Sequence, residues 1–344
     1  MKTKHLPLLF SLLFFNCYLF RQGVSFLSYQ RKAVPVDRII SDTTVDDSLI
    51  EFLNGTTAIR LYARDSLGLS LNDNFTTFVE TDKRSIVSVV TACAPDTFNQ
   101  HTWWFPIVGK MPYKGFYKLK HARKEVARLR KKGLDVAVRP AGAFSTLGFF
   151  KDPLYSYMTR YSPYRLASMI IHEQVHATIF LKSNADFNEA MAVFIGDNAA
   201  LHYIKATRGE SSREYLKARN IYKDEKTFIS LVLGLYDELD SIYSLNLLSE
   251  EILELKQARI EHFKYHYDKN YDSLFTTRRY KRFSSRKINN AVLAEYKTYN
   301  YDVGIFEKLY RHFEYDMKAM IAFLKTIPKR EKDPVEFIEF KLDK

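Results

Sequence analysis

The sequence predicts an α+β fold, with a small sheet in the N-terminal half and a mostly helical C-terminal half. Short apolar runs bounded by proline or glycine are concentrated before residue 150, whereas helical periodicity dominates after residue 160. The 344-residue chain is 46% hydrophobic and 27% charged, which excludes a largely disordered protein. Two cysteines are too few for a disulfide scaffold.

The N-terminus has the pattern of an export signal. Lys2 and Lys4 precede an apolar run over residues 6–15, which is shorter than the about 20 residues that a spanning helix needs. Cys17 follows in a context that resembles a lipoprotein cleavage box, so we expect lipidation of Cys17. The alternative is an uncleaved anchor over residues 6–20. Both interpretations predict an exported, membrane-associated protein that faces the periplasm.

Residues 1–17 are therefore the predicted signal or anchor, and residues 18–344 are predicted to form one domain. The predicted domain has a helix over residues 48–64 near its N-terminal end. The strand-containing part spans about residues 80–150, with extended segments at 86–90, 103–108, 135–138 and 143–149 and a basic amphipathic helix over 116–132. Gly133 is expected to end that helix, and Cys93 is expected to be a buried small apolar residue.

The helical half begins at Ser162–Pro163, where the hydroxyl can cap the helix and proline suits its first turn. The periodic pattern continues to residue 182. Further helices follow, with breaks near residues 209, 246, 270–284 and 300–304. The helices over about residues 162–205 carry the candidate metal-binding and catalytic residues.

The first of these helices contains the sequence His-Glu-Gln-Val-His. His172 and His176 are four residues apart, which places their side chains on one face with Cβ atoms about 5–6 Å apart. Two imidazoles at that spacing can bind one metal ion at about 2.0–2.1 Å. Glu173 is placed to accept a proton from a water at the metal, as the catalytic base of a hydrolase. The alternative is two core histidines with a solvated glutamate between them.

A catalytic zinc needs a third protein ligand and leaves its fourth position to water. Glu189 opens the next helix, in the sequence Phe-Asn-Glu-Ala-Met-Ala, after a short loop. If this helix folds back antiparallel, Glu189 reaches the histidine pair. The alternative is a carboxylate that is favoured by the helix dipole alone. Asn188 and Asp197 are candidates to orient a ligand histidine.

Segments along most of the chain resemble the putative bacterial zinc aminopeptidase family. They lie between about residues 18 and 328 and include Thr102–Gly109, Pro112–Phe116, Ala143–Pro153, the two metal motifs and Asn289–Ala291. The resemblance implies a zincin-like, gluzincin-like metallopeptidase with one Zn²⁺ per chain. It also implies peptide substrates and removal of N-terminal residues by a metal-activated water. Phe144 stands where the family pattern has tyrosine, so this phenol is missing as a transition-state donor.

Two other functions remain open at this point. One is a zinc endopeptidase with the same metal site, and the other is a non-catalytic, membrane-anchored binding protein. The presence of Glu173 beside the three ligands favours an enzyme. The net charge of +12 and the basic run 278–282 suggest polyanion binding, but no nucleic-acid motif accompanies them, so no nucleic-acid partner is expected.

The sequence does not single out the groups that would complete a peptidase site. The transition-state donor could be one of several tyrosines near the active helix, Tyr155, Tyr157, Tyr161 and Tyr164. The acid that would hold a substrate ammonium could be Glu80, Asp82 or Asp96. Residues 144–148 are either an edge strand that pairs with extended substrate or an ordinary core strand.

Overall fold

The computed structural model describes residues 18, 21–105, 109–141, 151–299 and 303–342, and it has the predicted α+β organisation. The strands precede residue 156, and most of the helices follow residue 162. The predicted signal or anchor over residues 1–17 lies outside the described residues. None of the helices within the described ranges combines the length and apolar character that crossing a bilayer requires.

A seven-residue strand forms the centre of an antiparallel sheet. We number the strands β1 to β8 in chain order: Val34–Pro35, Thr77–Val79, Val87–Cys93, Trp103–Phe105, Gly109–Met111, Tyr113–Phe116, Asp135–Ala141 and Leu154–Tyr155. Strand β3 pairs with β6 on one side and β7 on the other, so that Val90 lies opposite Lys114 and Val138. Strands β1, β2 and β8 form a second small sheet, and β4 pairs with β5.

The helices are numbered α1 to α12: residues 21–30, Val36–Ile40, Asp47–Asp65, Leu119–Arg130, Pro163–Thr178, Ala185–Arg208, Arg213–Tyr243, Ser249–Leu274, Asn290–Tyr299, Val303–His312, Met317–Leu324 and Pro334–Leu342. The main apolar core surrounds α5 and α6 and includes residues from Phe26 to Ile338. A second apolar cluster joins α7, α8 and the start of α9. Helix α4 buries Ala122, Val126 and Leu129 against the β3 sheet in a third cluster.

Several predicted elements are confirmed with shifted ends. The helix over 48–64 is α3, and the strands at 86–90 and 135–138 extend to Cys93 and Ala141. The helix predicted over 116–132 begins later, at Leu119, because the residues before it pair with β3 as β6. Cys93 is fully buried, and burial raises the pKa of its thiol to about 12. The segments 106–108 and 143–149 include residues outside the described ranges.

The helical half is joined to the sheet by buried polar contacts around Asn290. The Asn290 amide donates to the carbonyl oxygens of Ala94 at 2.9 Å and Thr97 at 3.0 Å, and its oxygen accepts from the Tyr243 hydroxyl at 2.7 Å. Beside it, the Lys256 ammonium donates to Asp135 at 2.6 Å. These bonds fix α9 against the end of β3, where it also packs on α6.

We expect Asn290→Ala to lower the free energy of unfolding by about 2–4 kcal/mol, because it leaves buried carbonyl groups without donors. Urea unfolding followed by circular dichroism measures this change. The matched control is Asn270→Ala, which removes an exposed amide that bonds only within its own helix and should cost less than about 0.5 kcal/mol. Equal stability of the two variants would contradict this role for Asn290.

Candidate metal centre

Helix α5 begins where the sequence predicts and holds its histidines on a rigid support. The Ser162 hydroxyl accepts a hydrogen bond from the Arg165 N–H at 3.3 Å, and Pro163 occupies the first turn. Ile170, Ile171 and Val175 are fully buried on the inner side of the helix. The helix ends at Thr178, earlier than the predicted residue 182, and the chain continues from there in an extended conformation.

His172 and His176 lie one helical turn apart, and their rings meet edge to face. The two Nε2 atoms are 3.1 Å apart, and the ring planes are inclined at 86°. Both side chains are mostly buried, with 19% and 9% of their surface exposed. The local geometry that the i, i+4 spacing predicts is therefore present.

Glu189 on α6 completes the cluster. Its carboxylate oxygens lie 3.6 Å from His172 Nε2 and 3.7 Å from His176 Nε2, which is longer than a hydrogen bond. One ligand atom from each of the three residues lies within 4.8 Å of the others. Donors bound to one tetrahedral ion at about 2.0–2.1 Å lie about 3.3 Å from each other. These three donors therefore fit a zinc ion in both distance and chemistry.

The electrostatics also suit a cation. Burial and the neighbouring His176 lower the pKa of His172 to about 4, so its imidazole is neutral at pH 7 and its lone pair is available. Burial also favours neutral His176, but the Glu189 carboxylate outweighs it and raises the pKa of His176. In return, although burial opposes ionisation of Glu189, the histidines hold the pKa of Glu189 below its usual value. Glu189 is thus a carboxylate at neutral pH.

Glu173 lies beside the donor cluster without belonging to it. Its side chain is buried, and its negative charge contributes to the raised pKa of His176. Were a metal held by the three donors, a buried carboxylate beside them could serve as a general base.

The loop between α5 and α6 sets the position of Glu189 relative to the two histidines. The Asn188 amide donates to the Leu181 carbonyl at 2.8 Å and accepts from the Leu181 N–H at 3.0 Å. Ser183 adopts a left-handed backbone conformation, with φ of 67°, where the chain reverses. The Asn188 amide therefore closes the loop. Its role in orienting a ligand histidine stays a prediction.

Asp197 contacts α5 one helical turn before the first histidine. Its carboxylate accepts a hydrogen bond from the Ser168 hydroxyl at 2.6 Å. Burial, followed by the charge of Glu225, raises the pKa of Asp197 to about 7. The Asp197 carboxylate thus bonds to the Ser168 hydroxyl on α5 and not to an imidazole.

Gly196 allows the two metal-binding helices to approach each other. A Cβ atom at this position would lie 2.9 Å from the Ser168 carbonyl oxygen and 3.3 Å from His172 Cβ. Such contacts are too short for any larger residue without movement of a helix. Glycine destabilises a helix by about 1 kcal/mol relative to alanine, so a glycine inside a helix can mark a close contact. The sequence alone does not separate Gly196 from Gly234, where an added Cβ atom would meet nothing within 4 Å.

A small cleft lies between the β3 sheet and α9. Arg139 on β7 and Glu295 on α9 form an ion pair in its wall, and Tyr113 lines it. The positive charge of Arg139 also makes a small contribution to the lowered pKa of Glu189. The sequence gives no signal for this pair, since its members are distant along the chain.

Several other predicted groups in the described part of the chain make contacts of their own. The Tyr155 and Tyr157 rings are buried and stacked on each other at 5.5 Å, and Tyr164 is buried beside Asp197. Asp96 accepts a hydrogen bond from Ser249 at 2.6 Å. Phe144 and the segment 144–148 lie outside the described residues, as does Cys17.

Comparison with known proteins identifies a family for most of the chain. The model of a family described as "Putative aminopeptidase" matches residues 17–335, a range that includes every residue of the metal centre. Searches of curated proteins and of solved structures gave no match.

We expect Gly196→Ala to reduce zinc affinity by about 10- to 100-fold, because the added methyl group pushes α6 and its Glu189 away from the histidines. Competition with a chromophoric chelator measures the affinity. The control is Gly234→Ala on α7, where a Cβ atom meets nothing within 4 Å. That variant should bind zinc normally and gain about 0.5–1 kcal/mol of stability. Unchanged zinc affinity in Gly196→Ala would refute the spacing role.

Proposed function

The chain belongs to the putative aminopeptidase family, and we propose that it is a membrane-tethered zinc metallopeptidase that removes N-terminal residues from peptides. The observation that carries the proposal is the convergence of His172, His176 and Glu189, with Glu173 buried next to them. This is a mononuclear hydrolase site of the zincin-like type. The family match supports the peptidase class, and the donor chemistry supports zinc.

Each residue has a separate task in this proposal. When bound, Zn²⁺ supplies a Lewis acid that polarises the scissile carbonyl and lowers the pKa of a water at its open position. His172 and His176 are held on one rigid helix, so their lone pairs stay aimed at one point. Glu189 contributes the third donor from the facing helix. Glu173 takes the proton of the attacking water and delivers it to the leaving amine.

The membrane attachment belongs to the same proposal. The apolar run over residues 6–15 followed by Cys17 supports a lipid-modified N-terminus. An uncleaved anchor would give the same topology, with the metal centre on the periplasmic side.

The two alternatives predict different behaviour of this site. An endopeptidase would share the metal centre but would not require a free amino group on its substrate. A non-catalytic binding protein would have no need of a buried carboxylate such as Glu173. Burying a carboxylate costs free energy, which a catalytic role would explain. The structure therefore supports a catalytic role more than a binding role.

We expect Glu173→Gln to retain one zinc per chain and to lower kcat by about 10²- to 10⁴-fold, because the amide cannot accept the proton. Glu189→Ala should lose both zinc and hydrolysis. Elemental analysis and a peptide-cleavage assay measure the two properties. Asp186→Asn is the matched control, since this exposed carboxylate lies one turn before Glu189 and outside the donor cluster. Full activity of Glu173→Gln would exclude Glu173 as the base.

An aminopeptidase must also distinguish free from blocked amino ends. With two peptides that differ only by N-acetylation, we expect kcat/KM for the blocked peptide to fall by an amount equivalent to about 2–5 kcal/mol, because the acid that pairs with the ammonium is left unpaired. Mass spectrometry of the products identifies the cleaved bond. Equal cleavage of both peptides, or cleavage at internal bonds, would favour the endopeptidase.

A further inference from the structure

Helix α4 presents a strongly basic surface that the peptidase site does not use. We define the α4 basic face as a set of exposed side chains on the helix and its flanks, namely Lys118, Lys120, Arg123, Lys124, Arg130, Lys131 and Lys132. The opposite side of the helix is apolar and packs on the sheet. The acidic residue of this helix, Glu125, is already engaged by Trp103 at 2.8 Å and Arg128 at 2.7 Å. Its negative charge therefore does not neutralise the basic face.

The basic face carries uncompensated charge. Across the described ranges of the chain, its members form no ion pair with an acidic side chain. His121 lies on the same helix. Partial burial lowers its pKa, and so do the positive charges around it, namely Arg21, Lys118, Lys120 and Lys124. Arg21 belongs to α1, so the start of the first described helix adds to the same positive surface.

The polypeptide just after the predicted attachment point is held against β6, the strand that precedes α4. The Tyr18 hydroxyl donates to the Gly115 carbonyl at 2.6 Å, and the Lys114 ammonium lies 4.4 Å from the centre of the Tyr18 ring. Further along α1, the Gln22 side chain accepts from the Tyr117 N–H at 3.2 Å. Lys118 follows Tyr117 directly and begins the basic face.

This arrangement constrains where the bilayer can lie. Cys17 is bonded to Tyr18, so their Cα atoms are about 3.8 Å apart, and the three Cα–Cα steps from Gly115 to Lys118 span at most about 11 Å. A lipid attached to Cys17 would thus enter the membrane near the basic face.

We propose that the α4 basic face docks on anionic phospholipid headgroups and so fixes the orientation of the enzyme on its membrane. This inference rests on the membrane attachment in the proposed function and goes beyond it. Each basic residue near an anionic surface increases membrane affinity about fivefold, through an attraction that salt screens. Apolar side chains that are about half exposed accompany the charges: Val24 and Leu27 on α1, and Leu119 on α4.

The test measures lysine accessibility in the full chain, reconstituted in nanodiscs of phosphatidylcholine alone or with phosphatidylglycerol. Acetylation by a soluble reagent is followed by mass spectrometry. We expect Lys118, Lys120 and Lys124 to react at least about fivefold more slowly in the anionic discs at low salt, and to recover in 0.5 M NaCl. Lys217 and Lys223 on α7 serve as internal controls and should react equally in all discs.

Charge-reversed variants separate the docking surface from the tether. Lys120→Glu/Arg123→Glu/Lys124→Glu should still co-elute with the discs, while Lys118 and Lys131 lose their protection. Zinc content and cleavage of a soluble peptide should not change. The matched control is Lys217→Glu/Arg219→Glu/Lys223→Glu, which reverses three exposed charges on α7 and should keep the protection.

Three outcomes would overturn the inference. Equal lysine reactivity in neutral and anionic discs would show that the face does not meet the bilayer, even though the chain co-elutes with both. Protection by a DNA duplex but not by anionic lipid would assign the face to nucleic acid. Failure of the chain to co-elute with any disc would remove the attachment on which the inference rests, and would leave the metal centre and its activity as a separate question.

Discussion

The close contact of α5 and α6 at Gly196 is the constraint on which the metal centre depends. The histidine pair is a local feature of one helix, but the third donor arrives only if a second helix lies against it. The absence of a side chain at Gly196 permits that approach beside His172, and the Asn188–Leu181 hydrogen bonds set the length of the connecting loop. Glu189 then reaches both imidazoles because α6 runs antiparallel to α5.

Charge and burial act together in this site. Glu189 is half-buried beside two histidines, one of which is kept neutral by burial, so the cluster offers two lone pairs and one negative charge to a cation. Arg139 brings a positive charge to the cleft between the β3 sheet and α9, where Glu295 is its partner. The α4 basic face, whose members form no ion pair with an acidic side chain within the described ranges, lies on a different element from the donor cluster.

The sequence predicted the parts of this structure that depend on local geometry. The i, i+4 histidines, the Ser162 cap and the start of α6 follow from helical spacing and capping chemistry, and the structure has them. Contacts between distant residues could not be predicted. Asn188 is a candidate from the sequence to orient a histidine, and the structure adds that its amide bonds to Leu181, a contact that depends on how the loop closes. Helix α4 begins later than its periodicity indicates because pairing with β3 retains Tyr113–Phe116 in the sheet.

The central claim is that one zinc ion is held between α5 and α6. Anomalous scattering at the zinc absorption edge, from crystals of the zinc-loaded chain, tests it most directly. We predict a single strong anomalous peak about 2.0–2.2 Å from His172 Nε2, from His176 Nε2 and from one Glu189 carboxylate oxygen. A zinc-loaded crystal without a peak between these three side chains, or with its strong peak elsewhere in the molecule, would contradict the account.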